Sequence, residues 1–162
     1  MAFDAFLQID GIDGESTDAK HTNWIEVLSY NWGVTQPASG SASTSGGATA
    51  ERANFHDFSI MKTLDKASPK LALACSSGTH IKKVTLELCR AGGDKLKYME
   101  YKMEECIVSS CSESGSGGSD PTESISFNYG KIEWTYTQQK RTDGSGGGQV
   151  AAGWDLRSNK KV

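Results

Sequence analysis

The chain has 162 residues and a formal net charge of -3, with no cluster of lysine and arginine residues. This charge pattern argues against a nucleic-acid-binding protein. Hydrophobic residues make up only 36% of the chain, whereas glycine occurs 18 times. Because much of that glycine lies in a few Gly/Ser-rich stretches, we predict a single ordered domain, residues 1–162, with long loops.

The amino-terminal residues lack the basic region, apolar stretch and cleavage site of a secretory signal peptide. No apolar run approaches the ~18 residues of a membrane-spanning helix. We therefore predict a protein made in the cytoplasm, without membrane insertion. If it leaves the cell, it would use a route that does not read a signal peptide.

In chain order, the first predicted strand is Phe3–Ile9, in which apolar and polar residues alternate. The stretch Trp24–Val34 follows and is rich in aromatic and β-branched residues, which favour strands. Its apolar positions change parity at Val27–Leu28, which predicts a β-bulge or bend in one long strand. The small polar positions of this strand are Ser29, Asn31 and Gly33.

One helix is predicted, at residues 68–77, with Ser68 as its N-cap, Pro69 in its first turn and Gly78 at its end. The remaining segments alternate as strands, and a second parity change at Gly130–Lys131 predicts another bulge. We therefore predict a mainly β fold: a bent two-sheet antiparallel β-barrel of about seven strands, two of them long and bulged, with one short α-helix. The expected core residues are Tyr30, Trp32, Phe58, Leu86, Phe127, Trp134 and Trp154.

Three Gly/Ser-rich segments are predicted as long flexible loops, at residues 37–53, 113–122 and 141–149. Loops of this length in a compact domain are usually functional or disordered. The composition of residues 37–53 is equally consistent with an ordinary surface loop and with a loop that becomes ordered when it contacts a partner.

No constellation of catalytic residues is found in the sequence. The three histidines are far apart, and there is neither a phosphate-binding loop nor a nucleophile elbow. The cysteines form no C-x-x-C pair, so we predict reduced structural thiols and no metal site. We expect no enzyme and no cofactor. The sequence leaves open whether disulfides link neighbouring subunits through Cys75, Cys89, Cys106 or Cys111.

Several segments, taken in order along nearly the whole chain, resemble the haemolysin-coregulated protein (Hcp) family, the tube subunit of bacterial type VI secretion. They are Asp13–Ser16 with His21, Ile25–Leu28 with Trp32–Gly33, Asp57–Ile60, Leu64–Pro69, Ala74–His80, Arg90–Gly93, Ile107–Ser110, Glu133–Gln139 and Gly153–Asp155.

The resemblance implies homohexameric rings that stack into a tube inside a contractile sheath. By the same resemblance, the tube would carry small secreted effectors in its lumen, would be capped by a VgrG-like spike protein and would be expelled from the cell. On this basis Ser29, Asn31 and Gly33 would face the lumen and contact cargo. The loop at 37–53 would reach the next ring or subunit through Ser39, Gly40, Ser45, Gly46, Gly47, Glu51 and Arg52. With the sequence ending at Val162, we expect no carboxy-terminal effector extension.

Two other protein classes would also account for the predicted strands. A phage tail tube subunit would form rings as well, whereas a β-barrel binding module would be a monomer with a concave, aromatic-lined site. A hydrolase would need clustered histidines and carboxylates, which the predicted strand parity does not provide.

Overall fold

The computed structural model describes residues 3–39, 49–50, 52–92, 95–140 and 146–162. Five of the loop residues implied in ring contacts lie outside these ranges: Gly40, Ser45, Gly46, Gly47 and Glu51. The described elements are β1 (Phe3–Ile9), β2 (Ile25–Val27), β3 (Ser29–Asn31), β4 (Val34–Thr35), β5 (Ala38–Ser39), β6 (Thr49–Ala50), β7 (Asn54–Phe55), β8 (Phe58–Thr63), α1 (Ser68–Ser77), β9 (His80–Arg90), β10 (Lys97–Ser114), β11 (Thr122–Asn128), β12 (Lys131–Gln139), β13 (Gly146–Asp155) and β14 (Lys160–Lys161).

The 18-residue strand β10 joins the two halves of the main sheet. It pairs with β9 on one side, and with β12 and then β11 on the other, always antiparallel. The sheet continues from β9 through β1 to β2, from β12 through β13 to β14, and from β11 through β8 to β3. This confirms the predicted mainly β, antiparallel class, although the described strands do not close into a barrel.

Strand β10 bends at Glu105, a non-glycine residue whose φ of 55° lies in the left-handed region. Gly130 lies opposite, and its N–H donates to the carbonyl oxygens of Glu104 and Glu105 at 3.0 and 3.2 Å. A Cβ atom on Gly130 would lie 3.2 Å from the Cβ of Glu105, closer than most such contacts. The bend therefore requires the close approach of two backbones.

The predicted bulge at Gly130–Lys131 falls at this bend. Immediately on either side of the bend, β11 and β12 keep one register along β10, so they form one long interrupted strand. On β10 the buried positions change parity across the bend, from Met103 to Cys106 and Val108. Before and after the bend, β10 therefore buries side chains of opposite parity in the core.

The stretch Trp24–Val34, predicted as one long bent strand, is divided into β2, β3 and the start of β4. Strand β2 pairs with β1, whereas β3 pairs with β8. The change of partner occurs at Leu28, whose surface is 59% exposed. The predicted bend at Val27–Leu28 is thus the point where the chain crosses from one half of the sheet to the other.

Six of the seven expected core residues belong to one cluster. Phe58, Leu86 and Phe127 are fully buried, and three partly buried aromatic residues pack against them: Tyr30, Trp32 and Trp134. Trp154 differs, because it is half-buried beside Phe55 and lies outside the cluster.

The helix α1 has the predicted bounds but not the predicted N-cap. Ala67 occupies the N-cap position without a side-chain bond, and Gly78 ends the helix with a φ of 64°. The Ser68 hydroxyl instead accepts from the N–H of Asp65 at 3.0 Å and donates to Glu123 Oε1 at 2.7 Å. Ser68 therefore ties the helix to the sheet.

The three predicted loops are shorter than expected, because backbone pairing does not require apolar side chains. Within residues 37–53, β5 pairs with β6, extending the ribbon that β4 and β7 begin. Strand β10 extends to Ser114, and β13 begins at Gly146.

That residues 1–162 form one domain stays a prediction. Among the described residues, no helix is long and apolar enough to cross a membrane.

The left-handed conformation of Glu105 predicts a specific effect on stability. Glu105→Val should lower the free energy of unfolding by about 1–2 kcal/mol, because a β-branched residue is strained at positive φ. Glu105→Gly, which removes the strain, should be neutral or slightly stabilising. Urea unfolding of both variants and the parent chain checks this, and equal stabilities of the two variants would contradict the role of the bend.

Candidate functional site

One face of the sheet is lined by small polar side chains. On β3, Ser29 and Asn31 are exposed and lie opposite Met61 and Ser59 of β8. The register continues this row onto β11 and then onto β10, through Ser124, Ser126, Ser110 and Ser112. We name these eight residues of four adjacent strands the serine face; seven of them have small polar side chains and the eighth is Met61. All of them are exposed or half-exposed.

The opposite face of the same strands is mainly apolar. Tyr30 and Ile60 alternate with the serine-face residues, as do Phe58, Ile125 and Phe127. The Tyr30 ring is stacked on Phe58, with centroids 6.0 Å apart. Because side chains alternate along a strand, burial of this aromatic face fixes the serine face outward.

The three residues expected at the lumen are divided by the structure. Ser29 and Asn31 lie on the serine face, whereas Gly33 lies beyond the end of β3. A Cβ atom on Gly33 would meet the His56 imidazole at 3.1 Å, and the Gly33 carbonyl accepts from the His56 N–H at 3.0 Å. The absence of a side chain at Gly33 therefore serves packing against His56.

Of the loop residues expected to contact the next ring, Ser39 and Arg52 lie in the described part of the chain. Ser39 belongs to β5 and pairs with Thr49. Arg52 is exposed and lines a small cavity that also includes Phe55 and Trp154. The ribbon that carries them leaves the main sheet after Trp32, with β4 paired to β7.

A second surface feature is an apolar row on β12 and β13. Ile132 lies opposite Trp154, and the row continues with Trp134 opposite Ala152 and Tyr136 opposite Val150. Ile132 is fully buried, but Tyr136 is 43% and Val150 is 72% exposed. The apolar face of this pair of strands thus runs out of the core and onto the surface. We name Tyr136 and Val150 the exposed apolar pair.

The structure also brings together a cluster that the sequence argument had not anticipated. His21 is buried, with Nδ1 2.7 Å from Asp18 Oδ2 and Nε2 2.8 Å from Glu87 Oε1. The Sγ of Cys89 lies 3.9 Å from Nε2. The expectation that histidine and carboxylates do not cluster was wrong, since β9 places Glu87 and Cys89 on the side that the loop carrying His21 covers.

This cluster does not have the properties of a cysteine nucleophile and its base. Cys89 is fully buried, and burial, together with the nearby Glu87 carboxylate, raises the pKa of its thiol to about 11. An activated cysteine is partly exposed and has a lowered pKa. The imidazole is stacked on Phe6, with ring centroids 4.2 Å apart, and its edge meets Trp24. The cluster therefore anchors the loop carrying His21 to the sheet.

A protein-family model described as "Type VI secretion system effector, Hcp" matches residues 6–136. The chain belongs to the Hcp family. It is 40% identical over 161 residues to Protein hcp1 of Pseudomonas aeruginosa, covering 98% of each chain. It is 29% identical over 132 residues to the Major exported protein of the same bacterium, covering 76% of this chain and 74% of that protein.

Solved structures of Hcp proteins have the same fold. A type six secretion system protein superimposes with a TM-score of 0.94 at 39% identity, covering 99% of this chain and all of that one. Hcp1 from Salmonella typhimurium gives a TM-score of 0.84 at 34% identity, with both chains fully covered. The resemblance seen in the sequence is thus confirmed.

Sequence reasoning found the β3 part of the serine face but missed the rest of it. Ser59, Ser124 and Ser126 alternate with large apolar residues, and this parity was the available signal. The residues of β10 were harder to find, because the pairing with β11 shifts register between Val108 and Ser110. Only the pairing of strands that are distant in sequence brings the serine-face residues of all four strands onto one side of the sheet in this Hcp fold.

The Asp18–His21 contact predicts a change in acid stability. The pKa of Asp18 is lowered from its ordinary value of 3.8, mainly by the hydrogen bond with His21. Its stabilising contribution is therefore complete above that value and is lost as the pH falls through the lowered pKa. Asp18→Asn should lower stability at neutral pH and flatten the loss of stability in acid.

Urea unfolding between neutral pH and about pH 3 would measure this effect. Asp120→Asn, which changes an exposed carboxylate in another loop, is the control and should keep the acid dependence of the parent chain. Parallel curves for Asp18→Asn and the parent would contradict the assignment.

Proposed function

We propose that this Hcp-family chain is a structural tube subunit of a bacterial type VI secretion apparatus. Six copies form a ring, the rings stack into a tube, and small effector proteins are held in the ring lumen. The observation that carries the proposal is the serine face, a solvated surface of mostly small polar side chains across four adjacent strands. A wall that must hold and release varied cargo needs short, hydrogen-bonding groups rather than deep pockets.

Ring formation is supported by the exposed apolar pair. Tyr136 and Val150 continue an apolar row that begins in the core, and exposed apolar surface of this kind is typical of an interface between subunits. Edge strands of the main sheet also leave backbone groups that a neighbouring subunit can pair. In the described part of the sheet these edges are β2, β3 and β14.

The other partners are proposed from the family assignment. The ribbon carrying Ser39 and Arg52 would contact the next ring or subunit, together with Gly40, Ser45, Gly46, Gly47 and Glu51. The outer surface of the tube would contact the contractile sheath, and its end would carry the VgrG-like spike protein. The subunit would be cytoplasmic before firing and extracellular afterwards, and it would act without catalysis.

The first test is the oligomeric state in solution. Light scattering coupled to gel filtration should give the mass of six 17.4-kDa subunits. In Val150→Glu the half-dissociation concentration of the ring should rise by about tenfold or more, because a carboxylate would be buried in an apolar contact.

Leu73→Glu is the matched control, since Leu73 is also exposed, at 66%, but lies on α1 outside the apolar row. It should leave the ring intact. A monomer at every concentration would contradict the tube-subunit function and favour the binding module. Dissociation in both variants would contradict the role given to the exposed apolar pair.

The second test concerns cargo. Asn31→Arg should leave the ring intact but reduce the amount of effector that co-purifies with it, because a long cationic side chain would occupy space above the serine face. Ser76→Arg on α1, where Ser76 is exposed, is the control. Unchanged effector levels in Asn31→Arg would contradict the lumen assignment while leaving the ring proposal standing.

A further inference from the structure

Three strands carry a row of charged residues beneath the amino-terminal end of α1. Glu113 of β10 lies directly opposite Glu123 of β11, which lies directly opposite Lys62 of β8. Directly opposed like charges on one face of a sheet repel each other. Glu113 is exposed, but Glu123 is only 1% exposed, so the repulsion acts partly in a region shielded from water.

The single ammonium group in this row, that of Lys62, does not balance the carboxylates around it. Lys62 is fully buried, and its Nζ contacts both Glu123 Oε1 and, at 2.9 Å, Asp65 Oδ1. Two carboxylates therefore share one ammonium group, and Glu113 adds a third. Burying an uncompensated carboxylate is costly, so an additional cation would stabilise this arrangement.

One oxygen of the buried carboxylate has no visible partner. Glu123 Oε1 accepts from the Lys62 ammonium and the Ser68 hydroxyl, whereas Oε2 is buried and has no hydrogen-bond partner within the described residues. Buried carboxylate oxygens in native proteins are nearly always paired. An unpaired oxygen beside a second carboxylate is a position suited to a metal ligand.

A thiol completes the set of donors. Cys111 lies two residues before Glu113 on β10 and therefore on the same face. Cys111, Glu113 and Glu123 each offer one ligand atom, and these three atoms lie within 4.8 Å of one another. Tetrahedral zinc, with bonds of about 2.0–2.3 Å, needs ligand atoms roughly 3.3–3.8 Å apart, which small side-chain movements would provide.

We propose that Cys111, Glu113 and Glu123 form a binding site for a divalent metal ion of the zinc type. The sulfur ligand favours zinc over calcium or magnesium, which take oxygen ligands alone. Glu113 and the half-buried Cys111 give the ion access from solvent, and water would supply the fourth ligand. The site goes beyond the tube function and reverses the expectation of no metal.

Binding would involve proton release from the thiol. Cysteine binds a metal ion as the thiolate, so the incoming ion replaces the proton of the Cys111 thiol. The ion would join the end of β10 to β11, which the Lys62 and Ser68 contacts already connect to β8 and α1.

Cobalt(II) provides a direct test, because a thiolate ligand gives it a charge-transfer absorption band in the near ultraviolet. Titration of the reduced full chain with cobalt should produce this band at one ion per subunit, and zinc should then remove it. Cys111→Ser should abolish the band. Cys75→Ser, which changes a half-buried thiol on the covering helix, is the matched control and should retain it.

Calorimetric titration with zinc tests the carboxylate ligand. Removing a residue that hydrogen-bonds to a metal ligand typically weakens metal binding by about 10-fold or more. Glu113→Gln removes a direct ligand, so it should weaken zinc binding by at least about 10-fold. Glu26→Gln, at an exposed position of β2, should bind as the parent does. No cobalt band at millimolar concentration, a band that survives Cys111→Ser, or parental zinc affinity in Glu113→Gln would each overturn the proposal.

Discussion

The fold depends on the bend that β10 and the interrupted strand β11–β12 share. Glu105 adopts a left-handed conformation and Gly130 approaches it closely enough to donate to two carbonyl oxygens. Because the side chains change faces there, one half of the sheet buries residues around Met103 and the other half those around Val108. A single pair of long strands can therefore belong to two differently oriented parts of the sheet.

The serine face is a consequence of this arrangement. Where β10 has turned, its outward positions align with those of β11, β8 and β3, and all four strands contribute small polar groups. The aromatic side chains on the opposite face hold the register, since a shift of one residue would exchange the two faces. In this Hcp-family chain the core thus determines which side chains of these four strands are exposed to solvent.

Buried polar groups add to the apolar contacts that hold two segments against the sheet. Asp18, His21 and Glu87 hold the loop before β2 against β9. Lys62 and Glu123 join β8 to β11, and both contact Ser68 at the start of the helix. In the first cluster, each imidazole nitrogen lies at hydrogen-bond distance from a carboxylate oxygen. In the second, the carboxylates outnumber the ammonium group. The first cluster therefore has the hydrogen bonds it needs, whereas an additional cation would stabilise the second.

The sequence by itself determined the mainly β class, the position of the helix, the two parity changes and membership of the Hcp family. These features are local, because alternation and helix-ending residues act through neighbours in the chain. The tertiary structure alone decided that Trp24–Val34 divides between two partners, that Gly33 packs on His56, and that Ser59, Ser126 and Asn31 share a face. It also decided which charged residues meet, since strand register brings together side chains that are distant in sequence, and periodicity contains no information about register.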